Sequence, residues 1–208
     1  MKNSTNQLIT ILMYLALILL GTGLSMASVT GHIYFAIETI AAVLATGIMI
    51  YLVHENGAND VESEKFDYRK AITWTLIGAI GAIVIQYGLG AIEGLLHVQT
   101  SSQNTLTLLT SVKGYPYYLV YVLICAPIME EIIFRRVFFA SLIKPTNIYW
   151  AAIISSLLFA FMHQDTRFII YAIMGAWFCF VYYRSKNIYV SAASHIIMNG
   201  VVLALAFA

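Results

Sequence analysis

Glu130-Glu131-Ile132-Ile133-Phe134-Arg135 lies inside a run that is otherwise almost wholly apolar from Tyr115 to Ile143. An ionised side chain at the centre of a bilayer helix costs about 2.5 to 3.5 kcal/mol on the mildest scale, so these three charges together cost roughly 10 kcal/mol. Some arrangement must offset that cost. On a helix Glu131 and Arg135 stand four residues apart on one face, where they can pair. Glu130 is turned about 100 degrees away, at roughly 3.6 residues per turn, and has no such partner on its own helix. Its counter-charge must come from another helix, or its protonation must change. A carboxylate left over in this way is a candidate general base; the alternative is a structural ion-pair cluster that fixes how helices meet.

The rest of the composition fits a membrane setting for these charges. Of 208 residues, 61% are hydrophobic and only 10% are charged, against roughly 25% charged in a soluble domain. The expected fold is all-α, a polytopic transmembrane helix bundle of seven or eight spans forming a single integral membrane domain over residues 1–208. Eleven basic residues nearly balance ten acidic ones, which gives no argument for nucleic acid or for a strongly acidic partner. Cys125 and Cys179 both fall in apolar runs and read as small packing residues, not a disulfide. The apolar run from Leu8 to Ala27 is longer than the ~7–15 residues of a signal-peptide core and reads as an uncleaved first span.

Spans are expected at about residues 7–27, 33–53, 71–92, 116–143, 148–162, 168–183 and 188–207. Glu38 lies near the start of the second and reads as a wetted end. Residues 54–70 form a polar cytoplasmic loop whose mixed charges, among them Glu62, Glu64, Lys65 and Asp67, read as solvated surface. The third span is dense in small residues, including Gly78, Ala79, Gly81 and Ala82, which predicts burial inside the bundle. A polar loop follows from Gly94 to Gly114, and Tyr115, Tyr117 and Tyr118 then form an aromatic belt. The fourth span, at 28 residues, would measure about 42 Å against a hydrocarbon core of about 30 Å, so it overshoots or breaks. Pro127 is the expected kink. Arg136 reads as a side chain reaching to the interface. No internal repeat is evident.

With seven spans, Lys2, Lys65, Arg69, Lys70, Lys144, Arg184 and Lys186 share one side, leaving Lys113 and Arg167 opposite. The N-terminus is therefore expected inside.

Two further spans carry polar residues that apolar packing does not require. Phe159 and His163 share one helical face, as do His195 and Asn199. An intramembrane His or Asn can simply hydrogen-bond two helices together. Depth favours a meeting: Glu130 lies about 9 Å from the inner face and His195 about 10 Å from it, at ~1.5 Å per residue. His163 joins them if its span begins below that face.

The three patterns Glu130-Glu131-x-x-x-Arg135, Phe159-x-x-x-His163 and His195-x-x-x-Asn199, each on its own apolar span, resemble those of the CPBP family. These are the CAAX-protease and bacteriocin-processing membrane proteins also labelled Abi. The resemblance covers about residues 124–202 and marks 115–207 as a catalytic core. It implies a glutamate-dependent intramembrane endopeptidase acting on hydrophobic or membrane-associated peptides, with membrane lipid as its surroundings and no nucleic-acid partner. In these terms Glu130 resembles the general base that takes a proton from water, and His163 the group that holds that water. His195 and Asn199 resemble donors to the oxyanion. Glu131 and Arg135 look like a supporting pair that orients Glu130, and Phe159 packs under His163. Such a site needs no cofactor. The multi-pass bacterial cell membrane is the setting the resemblance implies.

Other readings remain open. Glu130, His163 and His195 are also the ligand types of a two-His, one-carboxylate zinc site, although no His-Glu-x-x-His pattern is present. A non-catalytic scaffold, such as a bacteriocin-immunity or regulatory membrane protein, has no chemical need for all four polar residues. A transporter would be expected to show inverted repeats.

Overall fold

A computed structural model describes residues 2–62, 65, 67–97 and 102–207; Glu64 and residues 98–101 of the two expected loops lie outside these. Among the described residues the chain is all helical: α1 (Lys2–Met26), α2 (Gly31–Asn56), α3 (Tyr68–Leu95), α4 (Gln103–Gly114), α5 (Pro116–Ile143), α6 (Ile148–Met162), α7 (Phe168–Ser185) and α8 (Ile188–Phe207). Six of these are long and apolar enough to cross a membrane, and α6 is apolar but only 15 residues long. The protein is a multi-pass integral membrane protein. Bare apolar side chains such as Leu19, Ile33, Leu44, Ile80 and Tyr149 face outward, as a helix bundle solvated by lipid requires.

Helix α5 runs through the middle. It opens with a 3₁₀ turn at Pro116–Tyr118 and then widens into π-helical turns over Val120–Cys125 and Glu131–Phe139, on either side of an α-helical stretch, Ala126–Glu130. Pro127 has no amide hydrogen to give the ladder. The chain absorbs the loss in these wide turns, and the backbone stays helical through Cys125 and Ala126. Wide turns of this kind collect at functional sites. Both cysteines are buried and free.

Four sequence expectations change. The loop from Gly94 to Gly114 contains α4, a 12-residue helix whose Ser102 caps it through the Thr105 amide. Asn104, Thr105, Leu108 and Val112 recur at helical spacing on its inward side, so a stretch too polar to span still packs one face. Helix α3 is peripheral, since only Gly78, Ala79 and Ala82 are buried while Ile72, Leu76, Ile80 and Val84 are exposed. Its small residues admit neighbours on one side: Trp177 donates to the Gly78 carbonyl at 2.8 Å and lies against Gly81. Glu38 is buried, not wetted, and accepts from the Tyr118 hydroxyl at 3.0 Å; Tyr118 accordingly sits in the core and not in an interfacial belt.

Arg136 is the fourth. It is buried, bonds Glu62 at 3.1 Å and donates to the carbonyls of Val53 and Gly57. With Asn59 donating to Tyr182 at 2.8 Å, this pins residues 57–62 against the bundle. The described part of the loop is thus held by burial of a paired charge, which a count of its polar residues does not convey.

Candidate active site

Glu131 begins the site. It is wholly buried on α5 and accepts hydrogen bonds from the Ser191 hydroxyl at 2.6 Å and from His195 Nδ1 at 3.1 Å, both on α8. Arg135 Nε stands 3.3 Å from Glu131 Oε2, the oxygen that also accepts from Ser191, while His195 holds Oε1. The expected Glu131–Arg135 pair therefore forms, but what it orients is His195. Ser191 and His195 are four residues apart and reach the same carboxylate.

Arg135 is also wholly buried, and none of its guanidinium nitrogens has a hydrogen-bond partner among the described residues. Its charge is surrounded by aromatic faces, with ring centroids of Phe159 at 4.3 Å, Phe178 at 5.4 Å and Phe134 at 5.9 Å. Desolvated cation–π contacts of this sort contribute about 2 kcal/mol or more. Together with the Glu131 carboxylate they make the buried charge tolerable.

The Glu131 bond fixes the His195 ring, which stacks on Phe178 at 4.7 Å and points Nε2 at Glu130 Oε2, 3.9 Å away. Glu130 itself is part-exposed, with 18% of its side chain accessible, because it faces a cavity and not the packed core.

His163 follows the last turn of α6. Its Nδ1 lies 2.8 Å from the Phe159 carbonyl; an oxygen of that kind only accepts, so Nδ1 carries the hydrogen and Nε2 of the neutral ring is left as an acceptor. The ring is clamped between Phe159 at 4.4 Å and Tyr171 at 4.0 Å. Phe159 thus packs under His163, and it also bears on Arg135.

Glu130, His163, His195 and Asn199 line one cavity of about 90 Å³. On the same measure a single water needs roughly 10–15 Å³ and polar partners, so this space admits several. The Asn199 amide makes no hydrogen bond to the described residues. Side chains from α5, α6 and α8 therefore converge as their depths suggested. Among the described residues no group of three or more His, Cys, Asp or Glu is disposed to hold a metal ion.

Helix α4 closes one wall of the cavity through Asn104, Thr105 and Leu108. Its start is latched: Asp165 accepts from the Ser102 hydroxyl at 2.7 Å and from the Asn104 amide at 2.9 Å, and the Ser102 and Tyr171 oxygens lie 3.2 Å apart. Burial pushes the Asp165 carboxyl upward, but the Ser102 hydroxyl and the amides of Arg167 and Asn104 outweigh it and hold it below the usual range. Ser191, Phe178, Tyr171 and this latch were not singled out in the sequence. Serine and aromatic residues are ordinary packing residues on membrane helices, so only their placement distinguishes them.

Comparison with known proteins decides the family. Residues 112–201 match the family model described as type II CAAX prenyl endopeptidase Rce1-like. The chain is 30% identical over 190 residues to the membrane-embedded CAAX protease MroQ of Staphylococcus aureus, covering 88% of this chain and 76% of that protein. The chain belongs to the Rce1-like CAAX protease family. It is also 35% identical over 135 residues to a Bacillus subtilis protein named "Putative membrane peptidase YdiL", a match covering 64% of this chain and about half, 55%, of that relative. No solved structure matches. The Rce1-like segment contains Glu130, Glu131, Arg135, Phe159, His163, His195 and Asn199, so every residue singled out by its motif lies inside the family match. Neither the Abi label nor bacteriocin immunity occurs in these names.

Proposed function

We propose that this chain is an intramembrane endopeptidase that hydrolyses peptide bonds in hydrophobic or membrane-associated peptides, using a water activated by Glu130. The observation that carries this reading is the convergence of Glu130, His163, His195 and Asn199 on one cavity with room for water. His163 Nε2 accepts one water hydrogen and fixes the molecule; Glu130 takes the other proton as the water oxygen attacks the carbonyl carbon. The negative charge that moves to the carbonyl oxygen meets the Asn199 amide and His195 Nε2–H. When the tetrahedral intermediate collapses the carbon–nitrogen bond breaks, and the proton held by Glu130 passes to the leaving amine.

His195 is suited to this role by its neighbours. Because Nδ1 donates to Glu131, a donor at Nε2 requires the doubly protonated ring. Arg135 already balances Glu131, and Glu130 lies within reach to balance the imidazolium. The four charges then sum to zero, which limits the cost of holding them in the membrane.

The substrate follows from the setting. The catalytic cavity lies within a bundle whose outside is apolar, and an apolar peptide or membrane-protein segment reaches it at least cost. In this reading the reaction draws on no cofactor, and the N-terminus is cytoplasmic, as the basic residues direct. Labelling from outside the cell of a cysteine introduced at Asp60 would overturn that orientation.

The test is cleavage of fluorogenic hydrophobic peptides by the purified protein in detergent, with and without a strong zinc chelator, beside Glu130→Gln. Activity that survives chelation and vanishes in the variant is the expected result. Activity lost to chelation and restored by zinc would put a metal in place of Glu130 as the activator. No cleavage by the native protein, with an unchanged cellular phenotype for Glu130→Gln, would leave a scaffold.

A further inference from the structure

A second hollow, of about 590 Å³, adjoins the catalytic cavity between α3, α4 and α8. The two share Gln86, Thr105 and Val202 as walls, so the hollow is a continuation of the cavity toward the edge of the bundle. Beside the hydroxyls of Ser102 and Thr105, its described sides are mostly small or apolar: Gly90 and Ala91 on α3, Leu106 on α4, Leu205 and Ala206 on α8. Among the described residues one cation, Arg167, borders it over Gly90, and its Nε is bonded to Glu93 at 2.9 Å. The wall therefore offers paired charge and apolar surface, which suits an uncharged apolar chain and gives no attraction to an ionic one.

Gln86 stands where the two spaces meet. It is half-buried in the interior of the 28-residue membrane helix α3, yet its side-chain amide makes no hydrogen bond to the described residues. An amide in that position costs free energy unless a partner satisfies it. Its oxygen accepts and its nitrogen donates, the same complement that an extended peptide backbone presents edge-on. Acyl chains have no use for such a group.

We infer that this groove takes the extended stretch of substrate that flanks the scissile bond, and that the Gln86 side-chain amide pairs with the backbone of that stretch to set its register. The inference rests on the endopeptidase reading for the identity of its ligand. Gln86 is then a substrate-binding residue outside the three motifs, and Ala91 a residue whose small size keeps the groove open. Selection among substrates falls on the apolar side chains that fit between α3 and α8.

The experiment measures binding apart from cleavage. Fluorescein-labelled apolar decapeptides are titrated against the Glu130→Gln protein in detergent, as a set in which each backbone amide in turn is N-methylated. In the Gln86-containing protein, methylation at one position should weaken binding about three- to tenfold, the worth of one hydrogen bond. Adding Gln86→Leu should weaken the unmethylated peptide by a similar factor, abolish the positional effect, and leave the melting temperature unchanged or higher. Ala91→Trp, at an exposed position, should block binding while the fold persists. Binding and N-methyl sensitivity unchanged by Gln86→Leu would overturn the proposal, as would folded protein that binds none of the peptides. Native protein that binds the peptides with this pattern but cleaves none would instead count against the endopeptidase reading.

Discussion

His195 is held by Glu131 through a 3.1 Å Nδ1 contact that leaves its other nitrogen turned toward the cavity it shares with Glu130, His163 and Asn199. The two adjacent glutamates of α5 thereby take different parts: Glu131 is sealed in the core and orients the imidazole, and Glu130 faces the cavity. Substitutions at the two positions should separate stability from activity.

Glu131→Ala should be the more damaging to the fold. It removes the carboxylate paired with the wholly buried Arg135 and strands a charge, a change that costs about 3–5 kcal/mol. Glu130→Gln should shift thermal unfolding in detergent little while abolishing turnover. Equal melting temperatures for the two variants would contradict this division.

Tyr171 should matter through the face of its ring. It stacks on His163 at 4.0 Å, and such contacts contribute about 0.5–1.5 kcal/mol. Tyr171→Phe keeps the stack and should keep most of kcat, whereas Tyr171→Leu should lower kcat roughly three- to tenfold with little change in KM. A loss confined to KM would mean that Tyr171 touches substrate and does not steady His163.

The α4 latch should respond to acid. The Asp165 carboxyl is held below its ordinary range by Ser102 and two backbone amides once burial is overcome. A group depressed in this way contributes stability above its unfolded value, about 3.9, and that contribution is lost as pH falls through the lower folded value. Amide exchange at 104–107, compared between pH 6 and pH 3 after correction for the intrinsic rate, should report loosening at low pH. Asp165→Asn should show the loosened state at both.

The α3 seam should tolerate no bulk where it meets α7 and α8. A β-carbon on Gly81 would lie 2.1 Å from the Trp177 ring, whereas one on Gly88 meets nothing within 4 Å. Gly81→Ala should destabilise by about 1–3 kcal/mol, and Gly88→Ala should be neutral or stabilising because it raises helix propensity. Thermal unfolding of both variants in detergent checks the contrast.

Much of this protein is legible along the chain because a bilayer leaves few choices. Apolar runs of about 20 residues must become helices in lipid, where each backbone group has to be satisfied within its own segment. Six of the seven expected apolar segments are helices long enough to cross a membrane, and the seventh is the shorter α6. The i,i+4 rule likewise brought out Glu131 with Arg135, Phe159 with His163, and His195 with Asn199. The cost of intramembrane charge makes Glu130 conspicuous in the sequence alone.

Packing between helices decided the rest. No spacing rule ties Glu131 to His195 and Ser191, which are 64 and 60 residues away, or makes Arg136 a buried tie for residues 57–62 and Glu38 a core acceptor for Tyr118. Such pairings depend on which helix faces meet, and that is set by the shape of many side chains at once, with little extra hydrophobic drive between helices in lipid. Helix α4 is not legible along the chain for a related reason: its apolar positions are too few to mark a span, and it holds its place by a cap, a carboxylate latch and one packed face. The sequence alone determined that the chain enters the membrane and which polar residues it carries there; the tertiary structure decided which of them share a cavity, because only packing brings α5, α6 and α8 to the same point.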